Sequence, residues 1–345
     1  MFKIILTGIW KDKFAKIGIL VLGIIYLGIL FAPVIAPYDK DYSDRSLAYA
    51  PPSKIFTIDE QGHFSKPYTY NYIRKFDESN FNIYSIDRSQ KHYLKFFSRG
   101  DDGKFHLVTV DNGGKLFLLG TDINGRDVFS RILFGGRISM TIGFLALFVL
   151  FPIGMIYGGI SGYFGGKIDT IMMRIAEGIM SIPSFYLLII LASILPAGMT
   201  SIQRFMLIVI ILALIGWAGF ARVVRGMVLS IKNQEYVQAA KSIGASDFRI
   251  ITRHILPQTT SYIIVAITLS IPSYILSESG LSFLGLGIQQ PDASWGNMLK
   301  EAQIFSNIIY RPWLLTPGFL IFLAVLSFNL VGDTIRDILD PKSKD

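Results

Sequence analysis

The chain contains no cysteine and only four histidines in 345 residues, and just 17% of its residues are charged. The missing thiols exclude disulfides and thiolate chemistry. His63, His92, His106 and His254 form no His-Glu-x-x-His motif and none falls in an apolar run, so they read as surface residues rather than ligands or bases. No catalytic residue and no metal site is expected. Gly165-Gly166-Lys167 is not a phosphate loop, because Ile168 follows where Ser or Thr is needed and Ser161 stands where the first glycine belongs. The scarcity of charge, with 51% hydrophobic residues and a mean hydropathy of +0.47, argues against a soluble domain of this size.

The charges are also absent from six long stretches: Ile17–Tyr38, Ile138–Gly166, Gly178–Gln203, Phe205–Ala221, Ile255–Ser277 and Pro312–Gly332. Each approaches or exceeds the ~20 residues that cross a bilayer, which predicts an all-α integral membrane protein of six helices. The fourth run is the shortest, with Arg204 and Arg222 at its ends able to snorkel to the interfaces. Pro152, Pro183, Pro272 and Pro317 inside the runs are expected to kink or break helices. The first run is too long for a cleaved signal and reads as a retained anchor.

The net charge of +8 is a topology signal rather than a nucleic-acid footprint. Lys3, Lys11, Lys13 and Lys16 precede the first run, and Arg222, Arg225, Lys232, Lys241, Arg249 and Arg253 crowd the segment after the fourth. The positive-inside rule puts both segments, and therefore both termini, in the cytoplasm. Residues 1–38 then hold the N-terminus and first span, 39–137 lie outside, 138–332 hold five spans, and 333–345 form a cytoplasmic tail. Within the outer region, Tyr68-Thr69-Tyr70-Asn71-Tyr72 alternates and Phe105–Val110 is rich in strand formers, with Asp102-Gly103 and Asn112-Gly113 as turn pairs. A small, mostly β module is expected at about 55–117, with one face of its strands covered.

The loop at 222–257 carries the most organised pattern. Asn233–Ile243 reads as a short amphipathic helix stopped by Gly244. Ser246 or Asp247 can cap a second helix, Phe248–Leu256, and Pro257 then opens the fifth span. Helix-turn-helix DNA binding is excluded, because a loop tethered between two spans cannot lie along a duplex. Glu278, at the end of the fifth run, is either a pathway carboxylate or a side chain already at the interface.

The segment Glu235-Tyr236-Val237-Gln238-Ala239-Ala240-Lys241-Ser242-Ile243-Gly244-Ala245-Ser246-Asp247, ending in His254-Ile255-Leu256-Pro257, resembles the EAA loop of binding-protein-dependent (type I) ABC importers, with Gln238 in place of a usual Glu. Three further blocks narrow the resemblance to the C-type permease of dipeptide and oligopeptide transporters. They are Leu119–Asp127 with Ser130-Arg131; Gly162–Gly166 with Asp169, Arg174 and Ser181–Ser184; and Leu281–Gly287 with Ser294-Trp295-Gly296. Such permeases run from Pro-Pro-Ser almost directly into the Gly-Thr-Asp block, whereas here Pro51-Pro52-Ser53 and Leu119–Asp122 are far apart, so 55–117 looks like an insertion.

The resemblance implies a peptide-importing permease of the inner membrane. Its partners would be a second permease subunit, two ATP-binding subunits and an extracytoplasmic solute-binding protein. ATP and magnesium would be bound by the ATPase subunits and no cofactor by this chain. Glu235, Gln238, Ala239, Ala240, Gly244 and Asp247 would dock the ATPase. Gly120, Thr121, Asp122, Gly125, Arg126 and Asp127 would form the external motif, and Glu278 is the pathway candidate. Import of nickel or another small solute is an alternative. A stand-alone channel or secondary transporter would need paired intramembrane charges or an inverted repeat, a membrane enzyme lacks the residues, and a receptor leaves the loop unexplained.

Overall fold

The computed structural model describes residues 2–59, 61–76, 82–100, 103–111, 113–196 and 198–339. Helices dominate: α1 (Phe2–Ile9), α2 (Lys13–Leu30), α3 (Ala32–Ile35), α4 (Val128–Phe164), α5 (Gly166–Met180), α6 (Ser184–Ser193), α7 (Ser201–Ile231), α8 (Glu235–Ser242), α9 (Asp247–Arg249), α10 (Thr260–Phe283), α11 (Trp295–Met298), α12 (Phe305–Tyr310) and α13 (Thr316–Leu339). Strands β1 (Phe56–Ile58), β2 (Phe64–Phe76), β3 (Asn82–Arg99) and β4 (Phe105–Val110) lie between α3 and α4. Among the described residues, five helices are long and apolar enough to cross a membrane, or six if the bent pair α5–α6 is one span.

That pair corrects the third predicted span. Gly178–Gln203 is not one helix: α5 and α6 meet at a 75° bend. Pro183 has no N–H to donate and its ring disfavours helical backbone at Ile182, so the chain breaks there, and α6 alone reaches only about 15 Å. The fourth span is longer than its uncharged run. Helix α7 starts at a capping box between Thr200 and Gln203, and Arg204 does not snorkel. Its side chain is 7% exposed and donates to the Pro196 carbonyl at 3.2 Å. The second loop helix and the fifth span are also continuous from Asp247 to Phe283. The helix passes Pro257 by a π turn at Ile250–Ile255 and a 3₁₀ turn at Leu256–Thr259, which absorbs the missing N–H and the ring's clash with the preceding turn. Ser246 occupies the N-cap position with no side-chain cap bond. Pro317 lies in the first turn of α13, where no N–H is needed. Helix α1 was not expected.

The chain divides into two compact units, residues 1–22, 140–281 and 323–345, and residues 23–139 and 282–322. In the first, Val224 and Val228 of α7 pack with Val237, Ala240, Ile250, Ile255 and Leu256. A Cβ at Gly158 or Gly162 of α4 would meet the α7 backbone at 2.4 or 2.8 Å, so glycine permits the two helices to touch. Ile9 and Ala15 pack with Val331 and Ile335 of α13.

The second unit holds the β module, an antiparallel meander in the order β1-β2-β3-β4. Its strands carry both runs expected to be extended. Gly103 and Gly113 adopt φ +74°, while their expected turn partners Asp102 and Asn112 lie outside the described residues. The one-covered-face expectation is corrected in mid-strand. Tyr68, Thr69 and Tyr70 are all buried, because aromatic contacts among Phe56, Tyr68, Tyr70 and Tyr93 cover one side while Thr69 Oγ1 donates to the Lys54 carbonyl at 3.0 Å. Two histidines are not surface residues: His92 and His106 are 3% and 2% exposed, the second 2.7 Å from the Ala36 carbonyl through Nδ1.

Candidate functional site

Two groups of the singled-out residues form organised sites, one in each unit. The first is the loop after α7. Helix α8 turns Val237 and Ala240 inward onto α7. Gly244, at φ +81°, then reverses the chain in a left-handed conformation that only glycine adopts without strain. The loop is braced from behind. Lys232 Nζ donates to the Gly162 carbonyl at 2.9 Å, Gln238 Nε2 donates to the Lys232 carbonyl at 3.0 Å, and the Tyr163 hydroxyl donates to Asp247 Oδ1 at 2.6 Å. Below it, Asp169 is held by Arg225 through two guanidinium bonds and accepts from Ser161 Oγ at 2.5 Å.

The outward face carries large apolar side chains among polar ones. Ile243 is 85% exposed, Phe248 77% and Tyr236 42%, with Glu235, Gln238, Ala239, Gly244 and Asp247 also exposed. Ala240 is the exception among the expected docking residues. At 6% exposed it belongs to the chain's own core, and Ile243 and Phe248 stand outward instead. Both are large apolar residues on either side of the glycine, but only the inward packing of Val237 and Ala240 shows that they face out.

The second group is the Gly-Thr-Asp block, and it is buried. Thr121, Asp122, Arg126 and Asp127 are all less than 9% exposed. Thr121 Oγ1 accepts from Ala50 N–H at 2.7 Å and donates to the Leu47 carbonyl, and Trp313 Nε1 donates to the Thr121 carbonyl at 3.1 Å. Asp122 accepts from the N–H groups of Asn124 and Arg126 and pairs with Arg126 Nε at 2.7 Å and Arg131 Nε at 3.6 Å. Gln290 accepts from both guanidiniums. Asp127 caps α4 by accepting from Ser130 N–H and Oγ at 2.7 and 2.6 Å. Burial pushes the Asp127 carboxyl up to about 7 against those two bonds. Glu301, which accepts from Ile123 N–H at 3.0 Å, is also pushed up to about 7, first by burial and then by the nearby Asp122 charge. Gly120 and Gly125 turn at φ +72° and +68°. A Cβ at Gly125 would lie 1.7 Å from the Asp44 carbonyl oxygen.

Glu278 is 0% exposed inside the first unit, with Ser279 Oγ 3.5 Å from its carboxylate. It does not line the open groove of about 770 Å³ along α10, whose wall includes Met227, Gln258, Ser261, Tyr262, Ser270 and Ser273. Sequence reasoning missed these hydroxyl and amide side chains, although their recurrence on one face of an apolar helix was there to be read. Among the described residues no group of three or more His, Asp or Glu is arranged to hold a metal.

Comparison with known proteins gives two separate matches. Residues 131–345 match the model of the binding-protein-dependent transport system inner membrane component, and residues 2–52 that of the N-terminal transmembrane domain of oligopeptide transport permease C. Neither covers the β module. The sequence is 48% identical over 225 residues to a dipeptide transport system permease protein of Bacillus subtilis (strain 168), covering 65% of this chain and 68% of that protein. It is 42% identical over 252 residues to an oligopeptide transport system permease protein of the same organism, covering 72% and 80%. It is 41% identical over 242 residues to a glutathione transport system permease protein of Escherichia coli O6:K15:H31 (strain 536 / UPEC), covering 70% and 77%.

Proposed function

The chain belongs to the binding-protein-dependent transport system inner membrane components, and from that premise we propose that it is a permease subunit of an ATP-driven importer of peptides. Relatives named for dipeptide, oligopeptide and glutathione transport support the substrate class. The bent pair α5–α6 counts as one span, giving six, and the Lys and Arg bias puts both termini and the 222–257 loop in the cytoplasm and residues 39–137 outside. A second permease subunit completes the pathway, two separate ATPase subunits hydrolyse ATP bound with magnesium, and an extracytoplasmic binding protein delivers solute.

The observation that carries this reading is the loop after α7. Its inner face is fixed to the chain's own core, while Tyr236, Ala239, Ile243 and Phe248 surround Gly244 on the exposed face. Large exposed apolar residues concentrated on a short rigid element mark a protein contact, and at this end of the spans the contact is the ATPase. ATP-driven closure moves the permease by binding one of its conformations better than the other, which requires a loop that transmits force without unfolding. The groove along α10 is the pathway wall, offering hydroxyl and amide groups, with the charged Arg336 beside them, to peptide amides that have left water. Glu278 then acts on the pathway from behind that wall, through α10.

The test is reconstitution with a second permease and both ATPases in proteoliposomes, with ATP-dependent uptake of a labelled peptide measured alongside capture of the ATPase by the tagged chain. Absence of both would sink the reading. Orientation is tested separately: because the chain has no cysteine, Ser242→Cys should be protected from an impermeant thiol reagent in intact cells and Ser65→Cys labelled, and the reverse pattern overturns it.

A further inference from the structure

The β module exposes apolar side chains at both ends: Ile73, Phe76 and Ile83 are 46–58% exposed at the β2–β3 end, and the larger aromatic patch lies at the other. The strand registers bring the β1–β2 and β3–β4 turns together there, with Ile58 opposite Phe64, Tyr68 opposite Tyr93 and Arg99 opposite Phe105. Phe64 is 90% exposed, Phe97 68%, Phe96 54% and Phe105 48%. Four phenylalanines at one sheet end form a patch that is not expected to face water.

The same end is tied to the first membrane span. His106 Nδ1 lies 2.7 Å from the Ala36 carbonyl, Lys104 pairs with Asp39, and β4 packs on α3. Helix α2, Lys13–Leu30, rises about 27 Å, close to the ~30 Å thickness of the hydrocarbon core, and the short α3 follows it directly. Ala36, and with it the start of β4, therefore sits at the membrane boundary. The apolar surface is continuous in kind, since Ile24, Leu27, Leu30 and Phe31 of the span are 50–66% exposed and have lipid around them. The other end of the sheet is held too. Asn82 and the Tyr84 hydroxyl donate to the Ala48 carbonyl, and Arg311, just before the last span, lies 3.7 Å from the centroid of the neighbouring Tyr49 ring.

We propose that this end of the β module is a membrane anchor, with Phe64, Phe96, Phe97 and Phe105 entering the interfacial layer of the lipid around the first span. Aromatic rings are favoured at headgroup depth. The described charges beside the patch are of both signs, with Lys66, Lys95, Arg99 and Lys104 near Asp39 and Asp59, and the contact rests on the rings, so a zwitterionic surface suffices. The inference depends on membrane insertion of the first span, not on what the chain transports. It gives the module a reason to lie along the membrane rather than project from it.

The full-length chain, reconstituted in phosphatidylcholine vesicles, tests this with single cysteines carrying an environment-sensitive fluorophore. Labels at Phe97→Cys and Phe64→Cys should be quenched by lipid spin-labelled near the headgroup to at least half the extent seen at Leu27→Cys. They should resist aqueous iodide, which should quench a label at Ser89→Cys on the exposed part of β3. Quenching by iodide at both phenylalanine positions places the patch in water and overturns the proposal. Shielding from both quenchers means a protein contact and overturns it equally. Both positions are exposed, so the variants remove little packing, and two sites guard against failure of either one.

Discussion

The loop around Gly244 and the block around Gly125 look alike in sequence, each a glycine turn beside a helix start with polar neighbours, yet they are built for opposite purposes. Both glycines are left-handed, at φ +81° and +68°. A Cβ on Gly244 would meet nothing within 4 Å, whereas one on Gly125 would collide with the Asp44 carbonyl. Around Gly244 the side chains stand in the open, and around Gly125 even the aspartates and arginines are buried. A left-handed glycine therefore does not say whether a turn is kept clear for another molecule or closed by the chain itself. The surrounding burial says which.

The contrast is broken most severely at Asp122. Asp122→Ala leaves two buried guanidiniums without their carboxylate and should destabilise the chain by about 3–5 kcal/mol, read as lost folded yield and a lower unfolding temperature in detergent. Gly125→Ala combines left-handed strain with a backbone collision and should cost about 3 kcal/mol by the same measure. A stable Gly125→Ala protein would show that the Asp44 turn yields easily.

Gly244→Leu should cost only about 1–2 kcal/mol of strain, since its side chain enters open space. It should nevertheless abolish ATPase capture and peptide uptake while the spans remain inserted. Normal capture and uptake would remove the loop from the docking role. Ala240→Leu, by contrast, should act through stability, because Ala240 is packed in the core.

The smallest effect is a pH dependence confined to the buried block. Glu301 binds its proton more tightly in the fold, at about 7 against 4.5, so its protonated form stabilises the fold fully below about 4.5. That contribution fades as pH rises through about 7. Unfolding temperature should fall between pH 5 and 8 by the equivalent of about 1 kcal/mol or less once solvent screening is allowed for. Glu301→Gln, which can still accept from Ile123 N–H, should flatten the curve, leaving a residue of the same sign from Asp127. An unchanged slope in that variant would dissociate Glu301 from the effect.

The two sites were unequally legible. Helix α8 and the Gly244 turn could be read from periodicity and a stop residue because the loop's order is local. The outward Ile243 and Phe248 needed the packing of Val237 and Ala240 to show which way α8 faces. Nothing in the spacing of Thr121, Asp122 and Arg126 shows that they meet Leu47, Gln290 and Trp313, because those partners lie far off in the chain. Helix α6 was misjudged for a similar reason: uncharged length does not reveal a 75° break, although Pro183 marked its place.

By itself the sequence determined that this chain enters a membrane, where its apolar runs lie, that 222–257 is an organised loop and that strands fill the segment before α4. Each of these follows from local composition and period, since burying apolar side chains and pairing backbone groups are demands that every short window must meet. Tertiary structure alone decided which polar residues are buried, that α9 and α10 are one continuous helix, that His92 and His106 are interior, and that Phe64, Phe96, Phe97 and Phe105 meet at one end of the sheet. Those outcomes depend on neighbours distant in sequence, and whether a polar group or an aromatic ring is stable where it stands is set by what finally surrounds it.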